Sequence, residues 1–190
     1  MKLTQKISPS FINSFNNCSM RWFYEQQDYP KQPIYISQAE LGSAIHNHVI
    51  KEYFADIFDK PTPKQIKNIA ESNFASGYML KIHQRKAKKL LKNFIKFETK
   101  RAETWETYKP EMVEEVIEID KETIYQKLGL KTPTNFKTII DFYGNETWID
   151  WKTGRVEYFT DTLLFQWGFS KMMLELSGRT VKKGMFPILS

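Results

Sequence analysis

The chain has 190 residues and one cysteine, Cys18. A lone thiol excludes an internal disulfide, a four-cysteine zinc site and a four-cysteine iron–sulfur cluster built by this chain alone. A reducing, intracellular and cytoplasmic setting is the resulting expectation. No apolar run approaches the length of a membrane span, and Met1-Lys2-Leu3 does not open like a signal peptide, so no membrane association is expected. Internal repeats and low-complexity linkers are missing too.

What is present is a core-forming composition, with aromatic residues at 15%. The length suits one domain spanning 1–190 and is short for two. The net charge is +6 and the isoelectric point about 9.2. That balance favours an anionic partner, nucleic acid first, but does not select one without a site.

Helical signals fill the first half, over about 8–108. Ser8-Pro9 begins a helix running to about Gln26. Ser37 with Glu40 caps a second that continues through His46 to about Phe58. A third runs from Pro63 to about Tyr78 and leads into a Lys-rich helix ending near Tyr108, before Lys109-Pro110. Period-two alternation from Val113 to Ile119 then marks a strand, within a sheet-bearing part of about 111–190. Residues 121–134 read as a short helix or a looped insertion. A hairpin follows, then a helix capped by Thr160-Asp161 and ended by Ser177-Gly178, and a last strand over Val181–Leu189.

The hairpin carries the chemistry. Phe136–Phe142 and Trp148–Gly154 are rich in β-branched and aromatic residues, with the turn signal Gly144-Asn145 between them. With that pair as a two-residue loop, Tyr143 faces Glu146, Asp141 faces Trp148 and Ile139 faces Asp150. Asp150 is then a diagonal same-face neighbour of Asp141, roughly 7–8 Å away. An odd loop length would separate the two acids. Two aspartates and Lys152 on one face suit a divalent cation, Mg²⁺ or Mn²⁺, in phosphodiester cleavage. The plainer reading is a surface hairpin with ordinary charges, yet both aspartates lie between bulky apolar neighbours, where an unpaired carboxylate is costly.

Other candidates are weaker singly. Gly42 and His46 share a helix face, and a small residue one turn before the histidine leaves room for a metal or substrate. Glu115 sits on the apolar face of its strand as an accessory acid or a partner for a nearby cation. Its neighbour Glu114 faces the other way and is expected to be solvated. Lys81, Arg85, Lys88, Lys92, Lys96 and Lys100 form one basic stripe, which with Arg155 either tracks a phosphate backbone or is a solvated helix face. Trp148, Trp151 and Trp167 offer base stacking, with core packing the commoner role.

In order and spacing these segments resemble the PD-(D/E)XK nuclease superfamily, and within it the RecB-type branch that includes the CRISPR-adaptation nucleases. Ser8-Pro9-Ser10-Phe11 with Cys18, Arg21, Phe23 and Tyr24 is similar to the family's N-terminal helix. Gly42–His46 is similar to its Gly-x-x-x-His motif, Ile140-Asp141 to its first acidic motif, and Asp150-Trp151-Lys152-Thr153-Gly154 to its Asp-x-Lys-Thr-Gly core. Gln166 falls where the family places a helix glutamine. The resemblance spans about Ser8 to Leu189. It implies a mixed α/β, restriction-endonuclease-like αβββαβ core with a helical N-terminal elaboration. It implies metal ligation by His46, Asp141, Asp150 and the Trp151 backbone carbonyl, with Lys152 catalytic and Gln166 beside the substrate. The implied reaction is metal-dependent hydrolysis of DNA in repair, recombination, replication, or CRISPR- or virus-related processing.

Two departures stand out. Ser170 occupies the place of a tyrosine that often follows the glutamine, and the four cluster cysteines of many relatives are missing. The resemblance therefore implies a cluster-free member, acting alone, as a homo-oligomer or with a helicase or recombination partner. The rival readings are an idle nucleic-acid-binding module on the same fold and an assembly protein whose basic stripe meets an acidic partner.

Overall fold

The structure is a computed structural model and describes residues 6–25, 38–57, 59–76, 84–153 and 161–189. Ser8 caps the first helix, its Oγ accepting from the Phe11 amide at 3.2 Å, with Pro9 in the first turn. The expected single helix is two, α1 (Pro9–Asn17) and α2 (Ser19–Glu25), because Cys18 takes extended backbone with φ −162°.

The second helix is also interrupted. It consists of α3 (Gln38–Ile45), a π-helical turn over His46–Ile50, and α4 (Lys51–Ala55). Such widened turns recur at functional sites, and this one starts at His46. Helix α5 (Pro63–Ser76) begins with a reciprocal cap between Thr62 and Gln65: the Gln65 amide donates to Thr62 Oγ1 at 3.3 Å and the Thr62 amide to Gln65 Oε1 at 2.9 Å. The Lys-rich helix α6 (Gln84–Thr104) stops short of Tyr108, which turns into the core.

Strand β1 (Met112–Ile119) leads into helix α7 (Lys121–Leu128), which resolves the reading of residues 121–134 in favour of a helix. Asp120 caps it by accepting from the Thr123 amide at 2.8 Å, and Gly129 ends it at φ 70°. Strands β2 (Phe136–Gly144) and β3 (Thr147–Ile149), helix α8 (Asp161–Leu176) and strand β4 (Lys183–Met185) complete the order. The sheet is mixed and ordered β1-β2-β3-β4, with β2–β3 antiparallel and β3–β4 parallel. This is the αβββαβ succession with α7 inserted.

The hairpin register differs from the expected one. Phe142 pairs with Ile149, Tyr143 with Trp148 and Gly144 with Thr147, so the two-residue loop is Asn145-Glu146. Both loop residues have positive φ, 50° and 54°, as a type I′ turn requires. Gly144 is the last residue of β2, and glycine suits it because a Cβ there would meet Pro110 Cα at 3.1 Å. Glu146 accepts its unusual backbone while its carbonyl takes the Lys182 amide at 2.8 Å and its carboxylate takes Lys182 Nζ at 2.5 Å. Each strand slips by one residue, so parity survives. Continued by one step, the register sets Asp141 directly opposite Asp150 rather than diagonal to it.

The chain divides into two compact units. One comprises 1–34, 116–139 and 158–181, and buries Ile117, Ile124, Phe136, Phe169 and Met173. In it Ile7 bridges Phe136, its amide donating to Asn135 O at 3.0 Å and its carbonyl accepting from the Lys137 amide at 2.7 Å. The other comprises 35–115, 140–157 and 182–190. Its core gathers Tyr53, Phe54, Phe94, Phe142 and Trp151, all nearly solvent-free. The second helix ends at Ala55, with Asp56 as its C-cap, short of the expected Phe58. The Ser37 cap, the helix ends at Gln26 and Tyr78, Lys81, Gly154, Arg155 and Thr160 lie outside the described residues. Among those described, no helix is long and apolar enough to cross a membrane.

Candidate metal centre

The second unit brings three ligand-bearing side chains together. One atom each of His46, Glu114 and Asp141 lies within 4.8 Å of the other two. His46 Nδ1 is 2.7 Å from Glu114 Oε1 and 3.5 Å from Asp141 Oδ2. On the other edge of the ring, Nε2 is 3.1 Å from the Trp151 carbonyl oxygen. A carboxylate and a carbonyl both accept, so each ring nitrogen donates and the ring is an imidazolium.

Asp150 and Lys152 complete the surroundings. The Trp151 amide donates to Asp141 Oδ2 at 3.1 Å, tying the first acid to the backbone beside the second. Lys152 Nζ donates to Asp150 Oδ2 at 2.5 Å and lies 5.5 Å from the Phe186 ring centroid. Residues 150–152 are fixed by ladder bonds to the end of β4 and the chain after it: Asp150 N to Met185 O at 3.0 Å, Lys152 N to Pro187 O at 2.9 Å, and Leu189 N to Lys152 O at 2.8 Å. Alternation across this extended stretch sends the Trp151 ring into the core, against Phe94, Phe97 and Phe142, and leaves Asp150 and Lys152 on the opposite face.

The electrostatics describe a site rich in carboxylates. Burial raises Asp141 well above the ordinary carboxylate range; Asp150 and Glu114 raise it further, and His46 opposes them. Burial pulls His46 down, but Asp141, Glu114 and Asp150 outweigh it and lift the imidazole to about 9. Hard oxygen donors, one imidazole and a surplus of negative charge at half-buried positions fit a divalent cation.

Glu114 was expected to be solvated and is instead the acid that contacts His46, its side chain 11% exposed. The backbone accounts for this: Glu114 sits inside β1 with φ 49°, a left-handed residue that breaks the alternation of the strand. Glu115 is exposed and is not a member of this group. Nothing in the sequence around 114 marks the break, since neither glycine nor asparagine stands there.

Gly42 has a role other than leaving room for a metal. It is buried, and a Cβ on it would meet Thr153 Oγ1 at 2.6 Å. The small residue lets α3 close on the Asp150–Thr153 segment, which brings His46 to the Trp151 carbonyl. His48 is exposed. Trp148 and Trp151 are core residues at 1% exposure each, which removes them as stacking surfaces.

Gln166 is half-buried on α8, in the other unit. Ser170 is buried, its Oγ 3.5 Å from Thr138 Oγ1. Arg85, Lys88, Lys92, Lys96 and Lys100 are exposed on α6.

Compared with known proteins, residues 6–179 match a family model described as the PD-(D/E)XK nuclease superfamily. No curated protein and no solved structure matches the chain.

Proposed function

The chain belongs to the PD-(D/E)XK nuclease superfamily, and from that membership we propose that it hydrolyses DNA phosphodiester bonds at the His46–Asp141–Asp150 centre with Mg²⁺ or Mn²⁺. The observation that carries this reading is the convergence of His46, Glu114 and Asp141 beside the Asp150–Lys152 pair. Asp141, Asp150, His46 and the Trp151 carbonyl would hold the cation. When bound, it lowers the pKa of water and offsets charge growing on the phosphate.

The chain's own groups do the rest. Glu114 accepts from His46 Nδ1 and so fixes the ring, leaving Nε2, which donates to the Trp151 carbonyl at 3.1 Å, as the nitrogen that could ligate once its proton leaves. Asp150 holds the Lys152 ammonium at the mouth of the cluster. From there Lys152 orients an attacking water and stabilises the negative charge of the pentavalent phosphorus. Gln166 contacts substrate in this reading, and the exposed cations of α6 hold the strand. We place the protein with the RecB-type branch, as a single nuclease domain of the cell interior.

The test is cleavage of an end-labelled DNA strand with Mn²⁺, with and without chelator. Asp150→Ala and Lys152→Ala should each reduce the rate by several orders of magnitude while the protein stays folded. Full activity in either variant, or undiminished cleavage in chelator, would refute the mechanism. Metal-independent DNA binding with no cleavage in the wild type would establish the idle-module reading instead.

A further inference from the structure

Helix α6 is unusual in its charge. From Gln84 to Ala102 it exposes Arg85, Lys86, Lys88, Lys89, Lys92, Lys96 and Lys100, and no acid. Its one acid in that span, Glu98, is buried and consumed by Arg101 at 2.7 Å. Like charges at i,i+4 destabilise a helix, and a face that is merely solvated mixes signs. Lys88, Lys92, Lys96 and Lys100 repeat every four residues, which is about 6 Å along the axis. A regular row of uncompensated cations matches a polymer of regular anions.

Beside this row lies an apolar cavity. It opens between α5 and α6 with a volume of about 470 Å³, a size typical of small-molecule sites. Phe74, Leu91 and Ile95 line its floor, and Lys67, Glu71, Lys88 and Lys92 its rim. Glu71 is within 3.9 Å of Lys67, so the rim stays net positive through Lys88 and Lys92. The cavity is separate from the metal centre: Phe94 and Phe97 on another flank of α6 pack on Trp151, at 5.9 and 6.4 Å between ring centroids.

A duplex offers phosphates and the base edges of its grooves but keeps the base faces stacked out of reach. An unpaired strand presents both phosphates and apolar base faces. A cationic row flanking an apolar cavity is complementary to the second and only half-used by the first. We propose that the α5–α6 cavity is a binding site for an unpaired stretch of nucleic acid. One base is seated against Phe74, Leu91 and Ile95, and the flanking phosphates lie on Lys88, Lys92 and the cations that continue along α6. The choice of nucleic acid as the anion rests on the nuclease reading; the preference for an unpaired strand rests on the cavity.

The experiment measures binding in chelator, where cleavage cannot interfere, by fluorescence anisotropy of a labelled mixed-sequence single strand and of the matching duplex. Phe74→Ala should weaken single-strand binding about tenfold, as expected for losing a stacked base, and leave duplex binding unchanged. Lys88→Ala/Lys92→Ala should weaken single-strand binding and reduce its log–log salt slope by about 1.4, two cations at about 0.7 each. Lys67→Glu tests the rim without touching the core; it should weaken single-strand binding, and Lys64→Glu, the same charge change outside the cavity, should not. Equal single-strand affinity for wild type, Phe74→Ala and Lys67→Glu would overturn the proposal and leave the cavity as a face for another protein. Wild-type cleavage activity is read separately: its absence sinks the nuclease reading, and groove-independent binding sinks only this site.

Discussion

His46 Nδ1 and Glu114 Oε1 are 2.7 Å apart across 68 residues of sequence, and the contact makes the histidine a cation. With His46 raised to about 9 in the folded chain against an ordinary 6.5, the protonated ring favours folding. That contribution is present in full below pH 6.5 and is lost as pH rises through 9. Asp141 acts in the same direction, because a carboxyl raised on folding also binds its proton more tightly in the native state. In chelator, stability from urea unfolding should fall between pH 6.5 and 9 by up to about 3 kcal/mol. The His46 ring should titrate near 9 by NMR; a titration at the ordinary value would show that the carboxylates do not surround it.

Glu114 gives a prediction that separates its backbone from its side chain. Inside a regular strand glycine is less stable than alanine, but at φ 49° the order reverses because only glycine lacks a Cβ to strain. Glu114→Gly should therefore be more stable than Glu114→Ala by about 1 kcal/mol. In activity the two should be alike, each reduced about 10- to 100-fold, as for loss of a group that orients a metal-binding histidine. Glu114→Gln, which can still accept from Nδ1, should recover most of the rate. Denaturant melts and cleavage rates of the three variants check both halves.

The same residue shows how far the sequence could be read. The order of helices and strands and the hairpin that carries Asp141, Asp150 and Lys152 were legible from signals that act locally: caps, period-two alternation, and the parity of a two-residue turn. The approach of His46 to Asp141, 3.5 Å in the structure, was not read from such signals and came only with the family resemblance. The parity argument tolerated the register slip at Gly144 and still put the aspartates on one face. Glu114 was not legible because its position depends on a left-handed residue stabilised from outside the strand, by His46 on a distant helix. The π-turn at His46 and the true role of Gly42 were hidden for the same reason, being consequences of packing. The short helix over Lys121–Leu128 was readable in hindsight from Asp120 and Gly129, its two caps.

Gly42 and Thr153 form a contact that can be tested in pairs. A Cβ at 42 meets Thr153 Oγ1 at 2.6 Å but Thr153 Cβ at an ordinary 3.8 Å. Gly42→Ala should cost about 1–3 kcal/mol from overpacking and depress cleavage by displacing the 150–153 segment. Removing the hydroxyl and methyl in Gly42→Ala/Thr153→Ala should restore most of both, giving a non-additive cycle. Additive losses in thermal melts and rates would mean that the two positions do not touch.

Behind the centre, the second unit holds a buried charge pair whose removal should affect stability more than any surface change. Arg101 Nη2 donates to Glu98 Oε2 at 2.7 Å, and Arg101 Nη1 to the Tyr108 carbonyl at 2.9 Å. Tyr108 Oη donates to the same Glu98 oxygen at 2.5 Å, so the Tyr53 hydroxyl, 2.5 Å from Tyr108, is the donor in its turn. Burial and the Glu98 charge push both tyrosines upward, keeping their protons in place for these bonds. The guanidinium also lies over the rings of Tyr108 at 3.8 Å and Phe142 at 4.7 Å, and Phe142 is the residue after Asp141. Arg101→Met should therefore destabilise the protein by about 3–5 kcal/mol, since it strands a buried carboxylate. Glu98→Met/Arg101→Met should cost less than Arg101→Met alone, because two apolar side chains leave no charge without a partner. If denaturant unfolding instead showed the double variant to lose the sum of the two single losses, the coupling would be zero and the two side chains would contribute independently rather than as a charge pair.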